Sequence, residues 1–206
     1  MEASRILSRT ETAGPAARSR PLLRYEDELL FAADPRSSAA PFADACLRMV
    51  RCDASNVRDR LPEAARAALF AEEPGVKTAG LARGDLLFAV LDAEGGLLHH
   101  SFVQNGAAVL ALLGEAPTVP LIGRCATVPA ARGRRLYPRT LRHIMSALAA
   151  AGHGRVAIYC DRDNAASVRG IRHAGFSAVA HLRTLVIGER WAVQWRRPGG
   201  VRLIAL

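Results

Sequence analysis

The chain has 206 residues, half of them hydrophobic and 23% charged, and this composition suits one folded α/β core and excludes a wholly disordered chain. Its formal net charge of +9 is compatible with a nucleic-acid partner, with a ligand that carries several phosphates, or with an arginine-rich proteome. Because charged residues interrupt the apolar runs far short of the roughly 20 residues that span a bilayer, we expect no transmembrane helix and no membrane partner.

The first part of the chain carries few signals of regular structure. Residues 1–20 lack the apolar stretch of a signal peptide, so we expect a flexible arm, a cytoplasmic location and a single domain over residues 21–206. Prolines and small residues make residues 32–41 a predicted loop or linker. The segment Ala45–Arg51 fits either a strand or a helix. A short helix is predicted over Pro62–Phe70, since proline suits a first helical turn.

The middle of the chain predicts a β-hairpin, a strand and a long helix. Leu86–Leu91 and Leu97–Val103 flank the turn sequence Asp-Ala-Glu-Gly-Gly and form the predicted hairpin. Val119–Val128 is the next predicted strand, and Arg155–Cys160 is a short strand that follows the helix. In that helix one apolar face recurs with helical spacing. It consists of Tyr137, Leu141, Ile144, Met145 and Leu148.

The last part of the chain predicts a second helix and two closing strands. Asp163 or Asn164 is a suitable N-cap, and Gly175 suits the left-handed residue that follows a helix. The closing strands are Ala178–Val186 and Trp191–Trp195, and the two tryptophans share one strand face, for which core packing is the default expectation. This order of elements predicts a mixed α/β (α+β) fold rather than a doubly wound sheet.

The segment between Thr127 and Pro138 is the most informative for function. A strand ends there, an Arg/Gly loop follows, and a helix begins. Backbone N–H groups at a helix start lack intrahelical partners and bind phosphate readily, and Gly133 lets the backbone approach a ligand closely. The alternative is a solvated basic loop that caps an ordinary helix.

This loop resembles the acyl-CoA loop of the GNAT N-acetyltransferases, which reads roughly Val/Thr-x-Pro-x-x-Arg-Gly-x-Gly-x-Gly/Ala. The matching residues are Thr127, Pro129, Arg132 and Gly133. Two positions depart from the pattern. Arg135 stands at the second glycine and could crowd or bind a pyrophosphate, and Tyr137 stands at the final Gly or Ala.

A second segment, Asn164–Phe176, resembles the family's Asn-x-x-Ser-x-x-x-Tyr-x-x-x-Gly-Phe motif. Asn164, Ser167, Gly175 and Phe176 match it. Ile171 stands where many members have a tyrosine that acts as general acid, so that role does not carry over. The two segments together cover about Leu121 to Phe176, in the family's order and spacing.

The resemblance implies a GNAT-like, mostly antiparallel central sheet with splayed central strands flanked by helices. It also implies transfer of an acetyl or other short acyl group from acyl-CoA to a primary amine by direct attack, with acetyl-CoA or another acyl-CoA as co-substrate and no metal. A backbone N–H of Ala126 or Thr127 would polarise the thioester carbonyl. The implied cofactor-binding residues are Thr127, Val128, Pro129, Arg132, Gly133, Arg134, Arg135, Leu136, Tyr137, Asn164 and Ser167. The implied acceptor is a small-molecule amine, and a homodimer is compatible with the sequence.

The sequence does not single out a general base. His99 and His100 are adjacent on a predicted strand and therefore point to opposite faces, so only one can face a cleft. We take His100 as the candidate catalytic histidine beside Thr127. Cys125 and Cys160 lack an identifiable base, and the scattered cysteines offer no metal pattern, so we expect inert, reduced thiols.

Two rival functions stay open. The departures at Arg135 and Ile171 are compatible with a catalytically silent GNAT-like domain that binds acyl-CoA. The basic charge is compatible with a nucleic-acid-associated protein, although aromatics make up only 5% of the chain and are not interleaved with the arginines, which argues against that function.

Overall fold

The structure is a computed structural model that describes residues 23–37, 44, 46–107, 109–188 and 190–205. The expected arm of residues 1–20 lies outside this range. The strands are β1 (Leu23–Ala33), β2 (Arg48–Cys52), β3 (Leu86–Leu91), β4 (Leu97–Gln104), β5 (Leu121–Thr127), β6 (Val156–Asp161), β7 (Ser177–Ile187), β8 (Trp191–Arg197) and β9 (Val201–Ala205). The helices are α1 (Val57–Arg60), α2 (Glu63–Phe70), α3 (Pro74–Ala82), α4 (Val109–Leu113), α5 (Leu136–Ala150) and α6 (Ala165–His173). No helix in the described ranges has the length and apolar composition needed to span a bilayer.

The strands form one sheet in the order β2-β3-β4-β5-β6-β1-β7-β8-β9. Neighbouring strands are antiparallel except β5 and β6, which are parallel and are connected through α5. A parallel pair needs such a crossover because the chain must return to the same end of the sheet. The expected mixed, mostly antiparallel sheet with flanking helices is thereby confirmed, as are the hairpin β3–β4 and the helix α2. The segment that the sequence left open between strand and helix contains strand β2.

Strand β1 is one of several elements that the sequence did not predict, and it lies near the centre of the sheet. It lies between β6 and β7 and pairs with both. The predicted loop over residues 32–41 was wrong at residues 32 and 33, which end β1; the described residues of this range that follow contain only the 3-10 turn Pro35–Ser37. The three acidic residues from Glu26 to Glu28 interrupt the apolar pattern, and acidic residues are depleted in strands. Pairing on both sides outweighs this low propensity.

Helices cover both faces of the sheet. The face under α5 and α6 is called the α5 face, and the opposite face, under α1 to α4, is called the α4 face. On the α5 face the sheet residues Phe31, Phe88, Val103, Ile122 and Ile158 pack against Leu141, Ile144, Met145 and Ile171. On the α4 face, one cluster joins α2 to β3 and β4, and another joins α4 to β1, β5, β6 and β7. The buried positions therefore alternate along each strand.

Both long helices end as predicted, with glycine just beyond the last turn. Gly152 and Gly175 have φ angles of +86° and +100°. The N–H of Gly175 donates to the carbonyl oxygen of Arg172 at 3.0 Å, and that of Phe176 donates to Ile171 at 3.3 Å. These two hydrogen bonds form a Schellman motif, which satisfies carbonyls that the helix leaves unpaired.

The C-terminal strands extend the sheet beyond α5 and α6. Neither helix packs closely on β8 or β9. Trp191 and Trp195 are consequently exposed on the α5 face, and the expectation of core packing was wrong.

Candidate active site

The site is built around a gap between β5 and β6. These strands pair only through Leu121 with Ala157 and Ile122 with Ile158, and then diverge. On its other side, β5 carries a bulge. His100 of β4 pairs with Ala126 and Phe102 pairs with Gly123, so β5 has one more residue than β4 between these two pairs. The bulged Arg124 has a φ of +47°. A bulge bends its strand, and β5 and β6 form the splayed V that the sequence predicted.

Helix α5 begins at the end of the β5 arm, and its first turn is open for an anion. Gly133 and Arg135 have φ angles of +82° and +57°, and these left-handed residues turn the chain into the helix. The N–H groups from Gly133 to Leu136 donate to no backbone carbonyl of the described residues. A Cβ built on Gly133 would meet nothing within 4 Å. The space above this loop is therefore free for a ligand, and the donors there are unused.

The arginines of the loop differ in what they contact. Arg132 donates from Nε to the carbonyl oxygen of Thr127 at 3.4 Å, which joins the two ends of the loop. Arg139, one turn into α5, forms an ion pair with Asp44 at 2.9 Å. Arg134 and Arg135 are exposed and form no ion pair with a residue that the structure describes. The loop thus keeps positive charge for a bound phosphate.

A buried polar chain supports the end of β5. The Nδ1 atom of His99 lies 2.7 Å from Oγ1 of Thr127, and its Nε2 atom lies 3.0 Å from Oγ of Ser101. Burial lowers the pKa of His99 to about 4, so the ring is neutral near pH 7. The His99 ring also lies 5.7 Å from the ring of Tyr137. The Thr127 side chain therefore contacts His99, a contact that only the β4–β5 register reveals.

His100 lies on the opposite face, as the strand alternation predicted. It is buried and makes an edge-to-face contact with Phe102 at 6.1 Å on the α4 face. Its strand partner is Ala126. His100 is therefore adjacent to the bulged arm of the V, but its ring and the Thr127 hydroxyl are on different faces of the sheet.

Helix α6 begins at the other arm of the V. Oδ1 of Asn164 accepts the N–H of Ser167 at 3.0 Å, so Asn164 is the N-cap. Ile171 is fully buried in the core of the α5 face and offers no titratable group. Tyr137 packs tightly on α6, because a Cβ on Gly170 would lie 2.6 Å from its ring. The sequence did not predict this contact, which explains why a large residue is accommodated at the loop's final small position.

The two cysteines near the V do not form a nucleophilic pair. Burial, together with the nearby carboxylates of Asp161 and Glu28, raises the pKa of Cys160 to about 12. The thiol is therefore protonated at neutral pH, in agreement with the expected inert role. Within the described residues, no group of three or more His, Cys, Asp or Glu side chains could hold a metal ion.

Known proteins resemble this chain in structure rather than in sequence. No protein-family model matches the sequence, nor does any curated protein at significant similarity. A GNAT-family protein from Novosphingobium aromaticivorans superposes with a TM-score of 0.54 and 23% identity, over 84% of this chain and 70% of that chain. An acetyltransferase of the GNAT family from Colwellia psychrerythraea gives a TM-score of 0.55 at 14% identity, over 80% of this chain and 57% of that one. A Drosophila protein gives a TM-score of 0.58 at 10% identity, over 80% of this chain and 52% of that chain.

The chain thus spans between about half and seven tenths of the length of these three structures. Each of the three superposes on 80% or more of this chain, and two of them carry the GNAT name. With the splayed β5 and β6 and the arginine-rich loop at the start of α5, this chain has the fold of the GNAT acetyltransferases.

Proposed function

We propose that the protein is an acyl-CoA-dependent N-acyltransferase that moves an acetyl or other short acyl group to a primary amine. The observation that carries this proposal is the combination of the V with the open first turn of α5. The V leaves one edge of β5 unpaired beyond Ile122, and the turn supplies N–H groups from Gly133 to Leu136 that donate to no backbone carbonyl of the described residues. An extended pantetheine arm suits the unpaired edge of β5, and a pyrophosphate suits the N–H groups at the start of α5.

In the proposed reaction, the pantetheine amides pair with the free edge of β5. The thioester carbonyl oxygen accepts a hydrogen bond from the backbone N–H of Ala126 or Thr127, which stabilises the negative charge that develops on attack. The neutral amine nitrogen forms a bond to the carbonyl carbon, the carbon–sulfur bond breaks with CoA leaving as a thiolate, and the proton on the acylated nitrogen passes to solvent water. The neutral His99 keeps the Thr127 side chain in place beneath this strand.

The buried Ile171 leaves the departing sulfur without a tyrosine acid from α6. A thiol has an ordinary pKa of about 8.5, so a thiolate can leave near neutral pH without protonation by the protein. The absence of a tyrosine at this position is therefore compatible with catalysis.

The second candidate is a domain that binds acyl-CoA without turning it over, which the departures at Arg135 and Ile171 favour. Incubation with acetyl-CoA and a library of primary amines, with free thiol followed by a colorimetric reagent, separates the two. Amine-dependent thiol release supports the enzyme. Acetyl-CoA binding by calorimetry without thiol release for any amine supports the silent domain, and no binding at millimolar acetyl-CoA rules out both.

A further inference from the structure

Three carboxylates lie together on the α4 face, next to the β6 arm of the V. Glu28 of β1 pairs with Asp161 of β6, and Glu26 is two residues earlier on β1. Leu30, two residues after Glu28, and Tyr159, two before Asp161, both pack on the α4 face. Since alternate strand residues share a face, Glu26, Glu28 and Asp161 form one acidic group there, called the carboxylate pocket.

The carboxylate pocket is only partly neutralised. Glu28 is 8% exposed and has no hydrogen bond or ion pair with any residue in the described ranges. Glu26 accepts from Nε of Arg24 through Oε1 at 2.8 Å, but its Oε2 is buried and has no partner. A buried carboxylate without a partner is costly, and such groups are generally paired or bind a cation. The Glu28 carboxyl and the Oε2 atom of Glu26 therefore remain available to a positively charged ligand.

The position of the pocket relates it to the V. The last paired residues of the two arms are Ile122 and Ile158. Asp161 lies three residues beyond Ile158, and Ala126 lies four residues beyond Ile122, one of which is the extra residue of the β5 bulge. Ala126 and Asp161 are therefore at the same distance along the two arms. Glu28 is the neighbour of Asp161, and His100 is the neighbour of Ala126. Glu28 and His100 therefore flank the gap on the same face.

We propose that the carboxylate pocket binds the acceptor, and that this acceptor is a polycationic amine whose ammonium groups pair with Glu28, Glu26 and Asp161. The proposal rests on the acyltransferase function, because it places the amine beside the arm that would hold the thioester. It also accounts for three acidic side chains beside one another in a chain with a net charge of +9. An acceptor with its own carboxylate would be repelled.

Binding should also move a proton. Burial and the neighbouring Glu26, Asp161 and Asp27 raise the pKa of Glu28 to about 8, so its carboxyl is neutral in the free pocket at pH 7. An ammonium group bound beside it favours the charged carboxylate. Cation binding at pH 7 therefore releases a proton, which calorimetry in buffers of different ionisation heat detects.

The test is calorimetric titration of the full chain with spermidine at 0.15 M salt, with and without saturating CoA. Glu28→Gln should weaken spermidine binding at least about tenfold and abolish the proton release, since a charge-assisted contact is lost. Glu94→Gln, in the exposed β3–β4 turn, is the matched control and should change neither the spermidine affinity nor the proton release. Titration with acetyl-CoA separately tests the cofactor site, so failure of acetyl-CoA to bind removes the proposed function without bearing on the pocket. Spermidine that does not bind the wild-type chain, or that binds Glu28→Gln equally well, overturns the pocket.

The strands β1, β7, β8 and β9 carry an exposed apolar surface, which is independent of the carboxylate pocket. All the large hydrophobic side chains that are exposed in the described residues lie on neighbouring strands of one sheet region. They are Leu23, Tyr25, Ile187, Trp191, Trp195, Val201 and Leu203. The register aligns Leu23 with Ile187 and Trp191, and Tyr25 with Leu185, Val193 and Leu203, all on the α5 face beyond the helices. This set is called the apolar platform.

The platform matches a second copy of the chain better than other occupants. At their fractional exposures the seven side chains present on the order of 700 Å², which exceeds the largest patch of a typical monomer and approaches the ~800 Å² per partner of a stable interface. Arg183 and Arg197 lie at one end, as in a polar rim. Residues 1–22, which precede Leu23, contain four arginines and few large apolar residues, so they complement the platform poorly.

The structure brings together exposed aromatics and arginines that the sequence showed as scattered. Tyr25 and Trp195 line a cavity of about 390 Å³ with His181, Arg183 and Arg197. Such a group can stack nucleic-acid bases. Aliphatic side chains nevertheless outnumber aromatic ones on the platform, and these favour a protein partner.

We infer that the apolar platform is the interface of a homodimer. Light scattering coupled to size exclusion should give a dimer for the full chain, a monomer for Leu203→Glu, and a dimer for the control Ala150→Glu at the exposed end of α5. A monomeric wild-type chain at 100 µM, about the concentration where weak dimers with micromolar Kd form, overturns the inference. A monomer that retains labelled oligouridylate, and loses it in Trp195→Ala, reassigns the platform to single-stranded nucleic acid.

Discussion

Gly133 and Arg135 show how the loop at the start of α5 keeps one backbone shape with different side chains. Both residues have positive φ angles, which glycine adopts freely and arginine adopts at a cost of roughly 1–2 kcal/mol. Arg135 stands where the GNAT pattern has glycine, and the structure retains the glycine-like conformation there. The departure at this residue is thus one of side chain rather than of backbone.

We predict that Gly133→Ala weakens CoA binding more than Gly84→Ala does. Both glycines have positive φ, +82° and +96°, and open space at the Cβ position, so the two substitutions should cost similar stability. Only at Gly133 does strain move N–H groups of the proposed phosphate site. Calorimetric Kd values, with thermal unfolding as the check on folding, measure the effect. Equal loss of CoA affinity in both variants counts against a phosphate role for the loop.

Arg135 has its own prediction. If its guanidinium contacts a phosphate, Arg135→Ala should weaken CoA binding roughly ten- to a hundredfold and leave a short pantetheine thioester unaffected. Arg135→Gly should lose the same affinity while raising the free energy of unfolding by about 1 kcal/mol, because the left-handed strain is relieved. Tighter CoA binding by Arg135→Gly shows instead that the arginine obstructs the site.

At the scale of elements, β1 and the bulge in β5 shape the site. β1 completes the sheet beside β6 and carries the carboxylate pocket into a position next to the V. The bulge at Arg124 separates β5 from β6. Neither effect comes from the loop before α5 or from the segment Asn164–Phe176, which carry most of the residues of the resemblance.

The buried carboxyl on β1 predicts a pH dependence of stability. Glu28 has an ordinary pKa of 4.5 when unfolded and about 8 when folded, so its contribution is fully present below pH 4.5 and is lost as the pH rises through 8. Glu28→Gln does not titrate. The free energy of unfolding of Glu28→Gln minus that of the wild type should therefore increase by on the order of 3 kcal/mol from pH 5 to pH 8. Arg24, Glu26, Asp27 and Asp161 are common to both proteins and largely cancel in the comparison.

Urea unfolding of both proteins at the two pH values measures this difference, with Glu94→Gln as the control. Parallel stability profiles for wild type and Glu28→Gln contradict the assignment. His99 acts in the opposite sense in all three proteins, because its lowered pKa removes stability as the pH falls from about 6.5 to about 4.

At the scale of the whole molecule, binding of acyl-CoA should stabilise the fold. The proposed site joins β5, α5 and α6, which belong to the core of the α5 face, so a bound ligand favours the native state alone. At a concentration of 100 times Kd, acetyl-CoA should add about 2.7 kcal/mol, or several degrees in Tm for a chain of this size. Differential scanning calorimetry with acetyl-CoA and with equimolar pyrophosphate separates specific binding from a general anion effect.

The sequence by itself determined the local features of this protein. The apolar period of α5, the glycines that end α5 and α6, an N-cap at Asp163 or Asn164 and the β3–β4 turn all depend on neighbours a few residues away, and each was predicted. The tertiary structure decided what depends on distant residues. The strand β1 forms because β6 and β7 pair with it, despite its acidic residues. The contact of Thr127 with His99 depends on the β4–β5 register, and the exposure of Trp191 and Trp195 depends on where α5 and α6 end over the sheet, which no local pattern encodes.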